Sequence, residues 1–153
     1  MKKIIAAIIL SCTAMSAYAA DRGITMTLRS NHVGSVGIYN ENNPGIGYTW
    51  KTDVAVLGDV NAHVGVYRNS EYRTSAYISA VKYLWTSGGF GAGYTVGLST
   101  GYESTPIMPI LGAVVSYTVN DTVGINVVLS AFSDDKDNDK LKPLIGVQLV
   151  FPF

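Results

Sequence analysis

Ile145-Gly146-Val147-Gln148-Leu149-Val150-Phe151-Pro152-Phe153 carries a large apolar residue at every odd position. Small or polar Gly146 and Gln148 lie between them, with Val150 and Pro152 as weaker interruptions. A period of two puts one set of side chains on one face of a strand. An apolar face that finishes on an aromatic ring suits a strand ending where hydrocarbon meets water, a boundary that aromatic rings favour.

The other terminus has the layout of an export signal. Lys2 and Lys3 supply positive charge, Ile4 to Leu10 are uninterruptedly apolar, and Ala17-Tyr18-Ala19 is a small-x-small cleavage site. The apolar run is too short to span a bilayer, which needs ~20 residues. The expected organisation is a cleaved signal peptide at 1–19 and one domain at 20–153. Cys12, the single cysteine, falls within the signal, which leaves the mature chain without disulfide chemistry. Ile9-Leu10-Ser11-Cys12 also admits a lipoprotein-box reading, against which stand Leu10 before Ser11 and the shortness of the segment ahead of Cys12.

Composition narrows the class further. Removing Lys2 and Lys3 leaves 9 basic against 11 acidic residues, so no basic surplus exists to neutralise nucleic-acid phosphates. Charged residues make up 14% of the chain, against ~25% in soluble domains. Yet no mature segment approaches the ~18 consecutive apolar residues of a spanning helix. A chain this apolar has one other way to cross lipid, which is to close a sheet on itself so that no backbone group is left unpaired.

Strands are expected at 23–32, 44–51, 59–68, 73–84, 90–101, 107–118, 123–131 and 142–153. The fifth alternates most cleanly: Phe90, Ala92, Tyr94, Val96 and Leu98 against Gly91, Gly93, Thr95, Gly97 and Ser99. The third sets Val60, Ala62, Val64 and Val66 against Asn61, His63, Gly65 and Tyr67. In the first, Ile24, Met26 and Leu28 are expected outside, with Thr25, Thr27 and Arg29 inside. The fourth and sixth alternate poorly. The fold class is therefore all-β, an eight-stranded antiparallel transmembrane β-barrel following a cleaved signal peptide.

The terminal phenylalanine and the eight short strands resemble the small bacterial outer-membrane barrels. That architecture includes OmpX-like and OmpA-like barrels and two lipid A enzymes, a palmitoyltransferase and a 3-O-deacylase. Asn40-Glu41-Asn42-Asn43-Pro44-Gly45-Ile46-Gly47 also resembles a motif of small barrels of bacteria and their phages, where it marks entry from a loop into a strand. The resemblance implies an outer-membrane location and Phe151 and Phe153 as an assembly signal read by the barrel-assembly machinery. It also implies longer loops outside and short turns at the periplasm. Trp50, Tyr83, Trp85, Phe90, Tyr117, Phe151 and Phe153 then fall at the turn end. Tyr39, Tyr67, Tyr72, Tyr102 and Phe132 fall at the loop end, and the two sets read as girdles about one bilayer apart.

Candidate sites follow from that frame. Arg29, Asn61, His63, Asn126 and Gln148 would form an inward polar network, which rigidifies a narrow barrel when its members are satisfied. Ser30 and His32, two apart and expected outward, combine with Glu41 as the nucleophile, base and orienting carboxylate that acyl transfer needs. The resembled deacylase places histidine before serine, the reverse of the order here. A polar pair at headgroup level is the other reading. Pro44, Pro106 and Pro109 remove ladder donors and weaken seams. The resembled palmitoyltransferase admits an acyl chain through proline-flanked gaps. Glycines 91, 93 and 97 would leave room for such a chain or for bulky side chains from other strands. Asp134-Asp135-Lys136-Asp137-Asn138-Asp139-Lys140 has the aspartate spacing of a calcium loop. Lys140 occupies its glycine position and Gly146 its glutamate position, which excludes an EF-hand.

No metal site and no cofactor are expected. The expected partners are outer-membrane lipid and lipopolysaccharide, with the assembly machinery on the last strand and no nucleic acid, and the barrel is expected to be a monomer. The leading function is a non-enzymatic outer-membrane barrel acting through its extracellular loops on lipopolysaccharide or on a surface or phage partner. The alternative is a lipid A acyl-modifying enzyme.

Overall fold

Eight alternating segments joined by short connections can satisfy their backbones by pairing side by side, each with its sequence neighbour. The computed structural model describes residues 21–35, 39–103, 105–134 and 140–153, with backbone alone at 133, 134 and 140. The strands are β1 (Arg22–His32), β2 (Asn42–Val54), β3 (Gly58–Arg68), β4 (Thr74–Ser87), β5 (Phe90–Thr100), β6 (Ile107–Asn120), β7 (Val123–Asp134) and β8 (Lys140–Pro152). They form a closed antiparallel barrel in chain order, with β1 hydrogen-bonded to both β2 and β8. There is no helix among the described residues. The proposed signal at 1–19 and the connection 135–139 lie outside the described residues.

Hairpins at the turn end are tighter than the sequence suggests. The β2–β3 ladder continues to Val54↔Gly58 and leaves only Ala55, Val56 and Leu57 between strands. Gly88 and Gly89 join β4 to β5 with φ of +57° and +82°, as a tight primed turn requires. At the β6–β7 turn the Asn120 side chain accepts hydrogen bonds from the Thr122 and Val123 amides, each at 2.9 Å.

The two faces differ in a consistent sense. Thr25, Thr49, His63, Ser75, Thr95, Ser99, Ser116 and Asn126 are buried within the barrel. Ile46, Val64, Val66, Ile78, Leu98, Leu111, Val115 and Leu129 are exposed on its outer surface. β4 and β6, which alternate poorly by residue type, alternate well in burial: Ser75, Tyr77, Val81, Val114, Ser116 and Thr118 point inward. The pattern is hidden in the sequence because small and apolar residues occupy both faces of those strands. Val60 and Ala62 share the outer parity of Val64 but are buried, Val60 opposite Thr52 and Ala62 opposite Trp50 in the β2–β3 ladder.

Two expectations need correction. A β-bulge interrupts β1, where Thr27 pairs with Gln148 but Arg29 pairs with Val147. The extra residue turns Leu28 and Arg29 to the same outer side, since a bulge sets two residues against one. Arg29 therefore does not join the interior; its side chain is 68% exposed. The other correction concerns the aromatics at the loop end, which do not form an outward girdle. Tyr39 and Phe132 pack on the inward ring of His32, and Tyr67 and Tyr102 bond each other at the barrel mouth. Among the five, Tyr72 is the exposed one. Of the turn-end set, Trp85, Phe90, Tyr117 and Phe153 are exposed, with Phe90 against Tyr117 and with Trp50 and Phe153 beside Tyr48, whereas Tyr83 turns inward and bonds Ser116 at 2.8 Å.

Closure fixes the width of the interior, so large inward rings need small residues opposite them. A Cβ on Gly47 would lie 2.6 Å from the Tyr77 hydroxyl, the Thr25 hydroxyl and the Val64 carbonyl, and one on Gly65 would lie 2.7 Å from Cε1 of Tyr77. Gly47→Ala is expected to destabilise the barrel by about 1–3 kcal/mol, the cost of overpacking. Gly124→Ala, with no atom nearer than 3.6 Å, is expected to be neutral or slightly stabilising. Unfolding midpoints of the two variants measure the difference.

Candidate functional site

The loop end brings together most of the residues singled out for chemistry. Past the bulge, Ser30 pairs with Gly146 and His32 with Leu144, which puts both side chains inside rather than outside. Ser30 Oγ donates to Oδ1 of Asn43 at 2.6 Å. The His32 ring is stacked on Tyr39 with centroids 4.5 Å apart and meets Phe132 edge-on at 4.7 Å. Glu41 accepts from the backbone N–H of His32 at 3.2 Å, from Arg29 at 3.2 Å and from Asn31 Nδ2 at 3.3 Å. The carboxylate thus engages the main chain of His32, and the serine hydroxyl engages an asparagine. The three residues are neighbours without the nucleophile-to-base-to-carboxylate relay that acyl transfer requires.

Three asparagines organise the rim, and their role was not read from the sequence. Asn43 Nδ2 donates to the carbonyls of Asn40 and Arg68, at 3.2 and 2.9 Å. Asn40 Nδ2 donates to the Asn69 carbonyl at 3.0 Å. Asn69 is fully buried. Its amide nitrogen donates to Ser75 Oγ and the Gly101 carbonyl, and its Oδ1 accepts from the amides of Glu71 and Arg73 at 2.9 Å. Asn40, the connection 69–73 and Gly101, each just beyond a strand end, are tied through these contacts. The available signal was asparagine at each junction between strand and loop, where its side chain substitutes for a missing backbone partner.

The remaining candidates lie lower in the barrel. Thr49 Oγ1 and His63 Nε2 are 3.4 Å apart, and Asn126 Nδ2 donates to Gln148 Oε1 at 3.4 Å. Gln148 in turn donates to the Tyr77 hydroxyl, also at 3.4 Å. Asn61 lines a cavity of about 50 Å³ with Thr49, His63, Tyr83 and Asn126. That volume suits a few water molecules and is far below the ~300 Å³ of a small-molecule site. A larger hollow of about 660 Å³ beside the β2–β3 hairpin, lined by Lys51, Asp53, Asp59 and Lys82, is open to the outside. No cluster of three or more His, Cys, Asp or Glu side chains among the described residues could hold a metal ion.

One seam parts. The β6–β7 ladder stops at Gly112↔Ser130, although β6 continues back to Ile107 on β5 and β7 continues to Asp134 on β8. Ser130 Oγ donates to the Leu111 carbonyl at 2.6 Å, so the Leu111 backbone groups point across the seam. Two residues earlier on the same edge, Pro109 has no N–H to offer. A capped acceptor and a missing donor keep the two edges from zipping further, which is how exposed strand edges are blunted.

A closed eight-stranded antiparallel barrel with a polar interior and an apolar outer surface is the class that these observations define. No protein-family model matches the chain, and no curated protein sequence matches it significantly.

Hydrogen bonds from the His32 amide and then from Arg29 hold the Glu41 carboxyl below its ordinary value. A depressed carboxyl stabilises the native loop above the unfolded value of ~4.3 and loses that effect as pH falls through the folded value. Protection of the His32 amide, corrected for intrinsic exchange, is therefore expected to fall as the pH drops through the lowered carboxyl value. Glu41→Gln is expected to abolish that step. The seam makes a separate prediction at neutral pH: amides of Leu111 and Ala131 are expected to exchange faster than those of Ala113 and Leu129 one rung inside the ladder. Residue-resolved hydrogen exchange measures both.

Proposed function

We propose that this chain is an integral barrel of the bacterial outer membrane, non-enzymatic, acting through its loop end on lipopolysaccharide or on a surface or phage partner. The observation that carries the reading is the inverted polarity: buried hydroxyls and amides inside, and exposed Ile, Leu and Val outside. In water that outer surface would far exceed the apolar patch of a few hundred Å² that monomeric proteins expose. In lipid it is the ordinary arrangement of a membrane barrel. Outward aromatics at the turn end suit one water–hydrocarbon boundary. Phe151 and Phe153 lie on the outer parity of β8, open to the barrel-assembly machinery.

The rim supports action by binding. Interlocked asparagines tie Asn40, the 69–73 connection and Gly101 together, and preorganisation lowers the ordering cost of recognition. The acyl-modifying alternative draws less support, because Ser30 and His32 face inward and the cavity between Thr49, His63 and Asn126, at about 50 Å³, is too small for an acyl chain. The mature chain is expected to require detergent or lipid for solubility and to shift mobility on boiling in SDS. Val64→Arg separates the environments: in a bilayer it is expected to cost about 2–4 kcal/mol near the midplane, whereas an exposed position in water would change by about 0.5 kcal/mol or less. Lipid A from cells with and without the protein is expected to have the same mass. A water-soluble monomer, or a changed acyl chain, would overturn the respective half of the proposal.

A further inference from the structure

Arg68 ends β3 on the outer face. Tyr67 before it turns inward to the Ser99 and Tyr102 hydroxyls, each at 3.0 Å, while Arg68 pairs with exposed Thr74. The guanidinium carbon lies 5.7 Å from the centroid of the Tyr72 ring. Nearby carboxylates are engaged elsewhere: Glu103 binds Arg73 at 3.1 Å, and Glu71 accepts the Glu103 amide at 2.7 Å. Glu71 also acts on Tyr102, placing its charge near the barrel mouth. Arg68 thus has no carboxylate partner among the described residues, whereas Arg29, on the same outer surface, has Glu41.

Tyr72 is held where it would not settle by itself. Its φ of +60° is the one positive value at a non-glycine among the described residues, and bulky side chains disfavour that region. Buried Asn69 enforces it. Its carbonyl accepts the Tyr72 amide at 3.2 Å, and its side chain accepts the amides on either side. The ring remains 55% exposed and lies against the arginine.

We infer that Arg68, Tyr72 and Thr74 form a site for the phosphate of an anionic lipid headgroup. The inference rests on the membrane reading above, in which the outer end of β3 emerges from hydrocarbon at headgroup level. A guanidinium without a protein counter-charge presents paired donors that match phosphate oxygens. Thr74, its ladder partner, and Tyr72 carry hydroxyls that can add donors, and the Tyr72 ring supports the guanidinium. Below them on the outer parity, Val66, Ala76 and Ile78 offer an apolar bed for acyl chains. Free phosphate has no use for that bed, which favours a lipid as the source.

Native mass spectrometry of the full barrel, in neutral detergent micelles doped with phosphatidic acid or with phosphatidylcholine, tests this. Wild-type protein is expected to retain phosphatidic acid preferentially, and Arg68→Gln to weaken retention about tenfold, the scale of losing a charge-assisted hydrogen bond. Arg68→Lys is expected to retain an intermediate amount, and Asn69→Ala, which releases Tyr72, to reduce it. Arg29→Gln is expected to leave it unchanged. Heat-modifiability of each variant reports folding independently. Equal losses from Arg29→Gln and Arg68→Gln, or no preference in a folded wild-type barrel, would overturn the site and leave the membrane reading standing. Displacement by millimolar inorganic phosphate would overturn the lipid as ligand. A chain that neither enters micelles nor shifts on boiling would overturn the membrane reading and the site together.

Discussion

Closure of β1 onto β8 is the constraint from which the other features derive. Hydrogen bonds run from Gly23↔Pro152 to His32↔Leu144 on one side of β1 and to β2 on the other, so the sheet has no free terminal edge. Closing eight strands leaves an interior only wide enough for side chains. The large inward ring of Tyr77 is then matched by absence opposite: it reaches across because Gly47 and Gly65 have no side chain in its path. The polar interior follows as well, since hydroxyls and amides packed against one another can find partners there, as Tyr83 does with Ser116 at 2.8 Å.

A single extra residue in β1 decides the chemistry of the loop end. Without the bulge, Arg29 would point into the barrel, and Ser30 and His32 would point out of it. With the bulge, Arg29 meets Glu41 on the outer surface, while Ser30 and His32 join Asn43, Tyr39 and Phe132 inside. A pair that resembles catalytic machinery in one register becomes rim packing in the other. A shift of one residue exchanges the two faces of all that follows on the strand.

The loop end combines rigidity and laxity in adjacent sectors. Around β1 to β5, the side chains of Asn40, Asn43 and Asn69 replace ladder hydrogen bonds where strands give way to connections, and they fix an unfavourable conformation at Tyr72. Across β6 and β7 the ladder is left open, with Ser130 and Pro109 blunting the edges. The rim thus has a tied arc and an open arc side by side.

Strand number, the antiparallel all-β class, the connections among the described residues to within a few residues, and the outer parity of β5 and β8 were legible along the chain. A period of two is a local property, and a backbone that must pair turns it into a face without further information. Asn61, His63, Asn126 and Gln148 could be assigned inward for the same reason. Assembly of the barrel set the sides of Arg29, Ser30 and His32, the inward turn of Tyr39, Tyr67, Tyr83, Tyr102 and Phe132, and the parting of β6 from β7. These depend on register between strands distant in sequence, and on where a bulge relieves a mismatch between neighbours. Counting along one strand cannot reveal either, because the partner that sets the count lies on another strand.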